Sequence, residues 1–395
     1  MAIRCNEFRN PGTGASNEIN MKGNGFLVLG FLEAAACLLA GLEGCVTPFN
    51  PPPTNNNPDE LVVEGLINVN GPTTVQLSRT RSLRDSFGIV PESGAQVSVE
   101  DVNGSVYPLF DEGSGNYTMS SPGGISDSLR LNIITTDGNQ YQSDFQAPVP
   151  ATPIDSISWK IVNGNLQIYA NTHGPEGATD YYLWRYEETL QFHSYYKAFF
   201  LWQDGQVVPL PPGEDIYTCW KSDYSTNILL GTSSGLSQNV VDRAPLVTIP
   251  DHAQQLSVLY SILVHQYALG NQAFQFWTSL RANTEQLGTI FDPVPSTGQG
   301  NLVCVTHPEQ KVIGYVSVGS EVDQRIFISK AQMPMDWNQP PGCPLIVVPD
   351  GQFSFYFGPS LLPITQDGLS SFYGSYPPCV DCTTIGSNVK PSFWP

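Results

Sequence analysis

The residues able to do chemistry in this chain are few, and a serine comes first. Gly231-Thr232-Ser233-Ser234-Gly235 fits G-x-S-x-G and follows the apolar run NILL. At a sharp strand-to-helix turn that spacing exposes a nucleophilic hydroxyl, which then needs a histidine and an acid. His252, His265 and His307 are the imidazole candidates, and Asp242 and Asp251 the acids. The motif demands a parallel sheet with helices after its strands, whereas the surrounding sequence reads as strand after strand. An envelope serine hydrolase using Ser233 is therefore only the remote alternative. The five histidines, His173, His193, His252, His265 and His307, form no i, i+4 helical pair and no metal-like spacing. His265, in ILVHQY, reads as a satisfied residue of core or sheet. No phosphate loop, dinucleotide fingerprint or distinguished carboxylate pair stands out. The expectation is a non-enzyme with no cofactor and no metal.

Cys45 offers a different chemistry. Residues 26–42, FLVLGFLEAAACLLAGL, are an apolar run interrupted by Glu33, preceded by Arg4, Arg9 and Lys22 and closed by small residues. That is the layout of a secretory signal peptide. The run is short for a spanning helix, which takes about 20 mostly apolar residues. Met21-Lys22 gives the signal ordinary proportions, which makes Met21 a candidate true start. Leu42-Glu43-Gly44-Cys45 resembles a bacterial lipobox, with Glu43 as a departure at the second position. Ala35-Ala36-Cys37 is a rival cleavage site. Cleavage before Cys45 leaves a diacylated thioether, and acyl chains contribute about 0.8 kcal/mol per buried CH₂. The lipid bilayer is then held through Cys45. Residues 1–44 are assigned to the signal and the Pro/Asn-rich 45–58 to a disordered tether.

Five cysteines follow: Cys219, Cys304, Cys343, Cys379 and Cys382. In an oxidising envelope disulfides are the default, and an odd count leaves one thiol. Cys304, within NLVCV, is expected to be that buried thiol. Cys379-Val380-Asp381-Cys382 precedes no helix that would lower a thiolate pKa. Structural disulfides are expected, with Cys343 and Cys219 serving the CxxC pair in an order left open.

A net charge of −19 repels nucleic-acid backbones and anionic lipid surfaces, so nucleic acid is excluded as a partner. A hydrophobic content of 41% supports a sizeable core.

The elements that must position these residues are mostly strands. TTVQLSRT and AQVSVEDVNGSVYPLF alternate, with Asn103-Gly104 as a type I′ hairpin signal, and LRLNIITTDGNQYQS repeats the device at Asp137-Gly138. Residues 59–150 thus predict a β-sandwich. APVPATP marks a boundary, because its prolines resist pairing. Residues 151–395 predict a larger β-rich domain. In YYLWRYEETLQF, Tyr182, Trp184 and Tyr186 share one face, and LSVLYSILVHQYAL reads as a central strand. One amphipathic helix is expected, with Asn271 as its cap, Phe274, Trp277, Leu280, Thr284 and Leu287 along its stripe, and Gly288 after it. The tail beyond 333 should be irregular and cysteine-stapled. Most tryptophans fit strand alternation. Trp337 and Trp394, in loop-rich segments, are the surface candidates for binding a sugar or receptor.

In combination and order, these stretches resemble a known family, the DUF4249 lipoproteins of Bacteroidota. The segments carrying the likeness include LVVEGLI, SGAQVSVED, GNYT, LNIITTDGNQYQSD, PVPATPIDSISW, YYLWRYEET, YTCW, YSILVHQYALGNQAFQFW, VIGYVSVGS, QRIFI and CVDCTTIGSNVKPSFW. The first domain is also similar to transthyretin-like sandwiches, through Gly94-Ala95-Gln96-Val97, Asn103-Gly104 and Gly115-Asn116-Tyr117. The resemblance implies a mainly β, non-catalytic outer-membrane lipoprotein, facing the cell surface, that accompanies a TonB-dependent receptor in nutrient uptake. A stand-alone adhesin or structural lipoprotein is the alternative with the same fold features.

Overall fold

In the computed structural model, residues 59–395 are described except for 82–88, 122, 124–126, 286–299, 338–341 and 359. The signal, Cys45 and the tether lie outside the described residues. The protein is mainly β. It begins with β1 (Leu61–Asn68), β2 (Thr73–Arg79), β3 (Val90–Pro91), β4 (Gln96–Asp101), β5 (Val106–Gly113), β6 (Asn116–Met119), β7 (Leu129–Ile134) and β8 (Gln140–Ser143). Alternating Val, Leu and Ile on these strands point inward, so Val75, Leu77, Val97, Val99, Leu131 and Ile133 build one core. Strand β5 closes the sandwich by serving both sheets: its first half pairs with β4 and its second with β6. Tyr117, wholly buried, ties the turn before β4 by donating to the Glu92 carbonyl (2.8 Å) and accepting from the Ala95 N–H (3.0 Å).

Turn chemistry is only partly as expected. Both central residues have positive φ at Ser114-Gly115, Asn163-Gly164 and Asp204-Gly205, which is the type I′ signature. At Asn103-Gly104 only the glycine does. There the Asp101 carboxylate accepts from the Asn103 and Ser105 N–H groups, and this wider loop replaces the tight turn.

The second half carries two further sheets. One joins β9 (Ile154–Val162), β10 (Asn165–His173) and, later in the chain, a long strand at Val240–Ile249. The other centres on β11 (Tyr181–His193). The hairpin β12 (Phe200–Gln203) and β13 (Gln206–Pro209) intervenes. Then come β14 (Thr218–Tyr224), β15 (Leu229–Thr232), β16 (Val240–Ile249) and β17 (Leu259–Leu269). Strand β17 lies in the middle, antiparallel to β11 on one side and to a strand at Glu321–Ser329 on the other. The even residues of β11 and β17, including Tyr182, Trp184, Tyr260, Ile262 and Val264, face Leu166, Ile168, Leu246 and Ile249 of the other sheet. The odd residues face away.

After β17 comes α1 (Asn271–Glu285), the one long helix among the described residues. Asn271 does not cap it. Its amide instead donates to the Tyr181 hydroxyl and accepts from Gln275. Leu287 and Gly288 lie outside the described residues. The helix lays Ala273 and Phe276, flanked by Phe274, Trp277 and Leu280, over Leu183, Leu269 and Tyr315.

The boundary read at 147–153 does not separate two independent sheets. Strands β18 (Leu302–Cys304) and β19 (Val312–Gly319) return to the sandwich, β18 beside β8 and β19 parallel to β1. Close backbone approach requires glycine here: at Gly314 (φ +138°) a Cβ would sit 2.0 Å from the Val63 carbonyl. Strand β20 (Glu321–Ser329) then re-enters the β11/β17 sheet, and the described residues form one compact unit.

The tail is more ordered than its Pro, Gly and Cys content suggests. Strands β21 (Ile346–Pro349), β22 (Leu362–Asp367) and β23 (Ser371–Ser375) make a small sheet. Two disulfides fasten it, Cys219–Cys382 and Cys343–Cys379, and Cys304 is a buried free thiol.

Candidate functional site

The two tryptophans expected on the surface are not there. Trp337 is 7% exposed and Trp394 is 6% exposed. Trp394 packs edge-on to Trp220 and Phe327 while its indole N–H donates to Gln191, and Trp337 joins the core of the second half. Lying in irregular segments does not expose them, because the tail packs along β14 through Ser387 and carries Trp394 against Trp220 and Phe327, while Trp337 sits in the core.

Ser233 is also buried, at 2% exposure. Its hydroxyl donates to Asn239 Oδ1 (2.7 Å) and lies 3.2 Å from Asp180 Oδ1. The strand before it, β15, is antiparallel to β11, so the strand-to-helix elbow is absent. The fixed residues of the motif serve local structure instead. A Cβ on Gly231 would strike the Trp184 ring at 2.5 Å, and Gly235 takes φ +86° in the turn. Ser233→Ala is expected to lower unfolding free energy by about 0.5–1.5 kcal/mol, the net worth of one hydrogen bond, because Asn239 Oδ1 still accepts from the Tyr182 hydroxyl. Chemical denaturation of the purified variant would read this.

The feature that gathers polar and aromatic groups lies where β1, β2, β11, β17 and α1 converge. A cleft of 240 Å³ opens there, walled by Leu183, Leu269 and Trp277 and edged by Asn68, Gln76 and Asn116. A second cleft of 460 Å³ adjoins it, sharing Glu64 and Trp277 and floored by Phe276, Leu280 and Tyr315. Strand periodicity puts these groups together. The odd face of β11 presents Leu183, Arg185 and Glu187, and the odd face of β17 presents Leu263, His265, Tyr267 and Leu269. Across from β17, β20 presents Glu321, Asp323 and Arg325. The helix covers the apolar end of this face and leaves the charged end open.

The charges there are linked. Arg185 donates to Glu64 of β1 across the seam and lies over the Trp277 ring at 5.8 Å. Both partners are about half exposed, so this pair is worth about 0–1 kcal/mol. Glu321 is approached by Asn68 Nδ2 (3.5 Å). His265 stands among carboxylates: its Nδ1 is 2.5 Å from Glu321 and 2.9 Å from Asp323, and its Nε2 is 3.7 Å from Glu187. Burial pushes the His265 pKa down, but bonding to Glu321 and the Asp323 charge outweigh it and leave it raised. Burial raises Glu321, yet the bond and charge of His265 hold it below the ordinary carboxylate range. Asp323 is raised, by burial and then by the Glu321 charge. The Tyr267 hydroxyl is likewise raised well above its usual value, mainly by burial and then by Glu321.

By its sequence context His265 is a satisfied residue of core or sheet, and no carboxylate pair stands out. The signal was present in EVDQR: two acids two residues apart share a strand face. Only pairing with β17 showed which histidine they meet.

Residues 46–325 match the family model described as a domain of unknown function, DUF4249. No curated protein matches the chain. Among the described residues no helix is long and apolar enough to cross a membrane.

Proposed function

Since this chain belongs to the DUF4249 family, we propose that it is a non-catalytic outer-membrane lipoprotein that captures a small ligand for a TonB-dependent receptor. Acyl chains on Cys45 anchor it, and the β body faces the cell surface. The observation that carries ligand capture is the pair of adjoining clefts around Trp277. Binding sites of this kind combine an apolar or aromatic wall with a few placed polar groups. Here the wall is Leu183, Leu269 and Trp277, and the polar groups are Asn68, Gln76, Asn116 and the Arg185–Glu64 pair.

The experiment is affinity purification of the tagged lipoprotein from native membranes in mild detergent. A β-barrel receptor of the TonB-dependent class is expected to co-purify, and Cys45→Ser is expected to release the protein into the soluble fraction and lose that barrel. A wild-type preparation free of any barrel overturns the receptor partnership. A Cys45→Ser chain that still sediments with membranes overturns the lipid anchor.

A further inference from the structure

We propose that His265, Glu321 and Asp323 bind a divalent transition-metal ion, with zinc as the probe that reveals it. The assignment is independent of the receptor reading.

The first support is convergence. One donor atom from each of the three residues lies within 4.8 Å of the other two. Two carboxylates approach the same ring nitrogen, at 2.5 and 2.9 Å. A single N–H has one proton to direct, so it cannot serve both acceptors with good geometry. A cation at their meeting point can. Zinc binds imidazole nitrogen and carboxylate oxygen at about 2.0–2.2 Å. Opening the cluster to that spacing asks for small side-chain rotations, and Asp323, with its side chain 49% exposed, has room to make them.

The second support is charge. Glu187, Glu321 and Asp323 all face one imidazole, which even when protonated balances one of them. Of the two arginines on the same face neither pairs with the three acids, although Arg325 is close enough for Glu187 and Asp323 to feel its charge. Arg185 pairs with Glu64, and Arg325 donates to Ser261 (2.9 Å) and stacks over Phe393 at 3.7 Å. The surplus of negative charge therefore faces solvent beside Asp323, where an ion can enter.

The third support is the surround. Metal-bound histidines direct their other nitrogen to a carboxylate, and ligating carboxylates are themselves held by hydrogen bonds. With Nδ1 on the ion, Nε2 points toward Glu187 at 3.7 Å. Glu321 is approached by Asn68 Nδ2 (3.5 Å) and stands directly across the strands from Tyr267. The donor set of one imidazole and two carboxylates, open on one side, suits zinc and its neighbours better than calcium or magnesium.

The full chain in detergent, stripped with a chelator, would be titrated calorimetrically with zinc chloride and, separately, calcium chloride. One zinc per chain is expected, with calcium at least about tenfold weaker. His265→Ala should weaken zinc at least about 100-fold. Glu187→Gln, which touches no ion directly, should weaken it by about 10-fold to 100-fold. Circular dichroism would confirm that each variant is folded, and Asp323→Asn, at an exposed position, gives a second route should His265→Ala fail to fold. Zinc uptake unchanged in both His265→Ala and Asp323→Asn overturns the site, as does the lack of stoichiometric uptake by the wild type. Calcium binding as tightly as zinc overturns the choice of a transition metal.

Discussion

Cys219→Ser combined with Cys382→Ser is expected to lower the unfolding free energy by about 5 kcal/mol. The bridge closes a loop of 163 residues, and the chain-entropy relation gives about 5 kcal/mol for a loop of that length. Both cysteines are fully buried in the core shared by the two sheets of the second half, so packing is lost as well. The same relation gives about 4 kcal/mol for the 36-residue loop closed by Cys343–Cys379. Urea unfolding should therefore rank wild type above the Cys343→Ser/Cys379→Ser pair, and that pair above the Cys219→Ser/Cys382→Ser pair. Equal midpoints for wild type and the latter would contradict the longer bridge. Removing it should also free Trp394, because the tail containing Cys382 is what folds over β14. Trp394 then gains exposure, and a red-shifted tryptophan emission in the double variant would report that release.

Trp184→Ala is the second large effect, at about 3–5 kcal/mol. The ring is 1% exposed and stacks on Tyr182 in the middle of the same core. Its indole N–H donates to Gln266 Oε1 at 2.8 Å. Gln266, wholly buried, spends its own N–H groups on the Thr152 carbonyl and the Thr172 hydroxyl. It thereby ties β17 to the facing sheet. Truncation thus opens a cavity and strands a buried acceptor. Trp184→Phe keeps most of the volume and removes only the donor, so about 1–3 kcal/mol is expected. The two variants separate packing from hydrogen bonding. A Trp184→Phe protein as unstable as Trp184→Ala would mean that the polar tie, and not the ring, dominates. Denaturant midpoints at constant slope would measure both.

Part of this protein is legible in its residues. Alternation in TTVQLSRT and YYLWRYEETL marks strands and says which side chains face inward, because strand period is two whatever the partner. The helix at 271–285 is visible from its apolar spacing, and the thiol at Cys304 from its apolar flanks. The disulfide residues Cys219, Cys343, Cys379 and Cys382 follow from cysteine count and the expectation of an oxidising compartment, though not their pairing. The tail strands at 346–375 escaped because their few residues alternate too briefly between prolines and glycines.

The rest belongs to tertiary structure. Sequence spacing cannot say that β19 crosses back to lie parallel to β1, since that contact joins residues about 250 positions apart, and a parallel pair leaves no hairpin turn to announce it. The burial of Trp337 and Trp394 depends on where a long tail finally lies. The meeting of His265 with Glu321 and Asp323 is a matter of strand register: one residue of slip would turn the acids to the opposite face and put Val322 beside the imidazole. Local pattern fixes which way a side chain points along its own strand, whereas its neighbours are set by the free energy of burying all the strands at once.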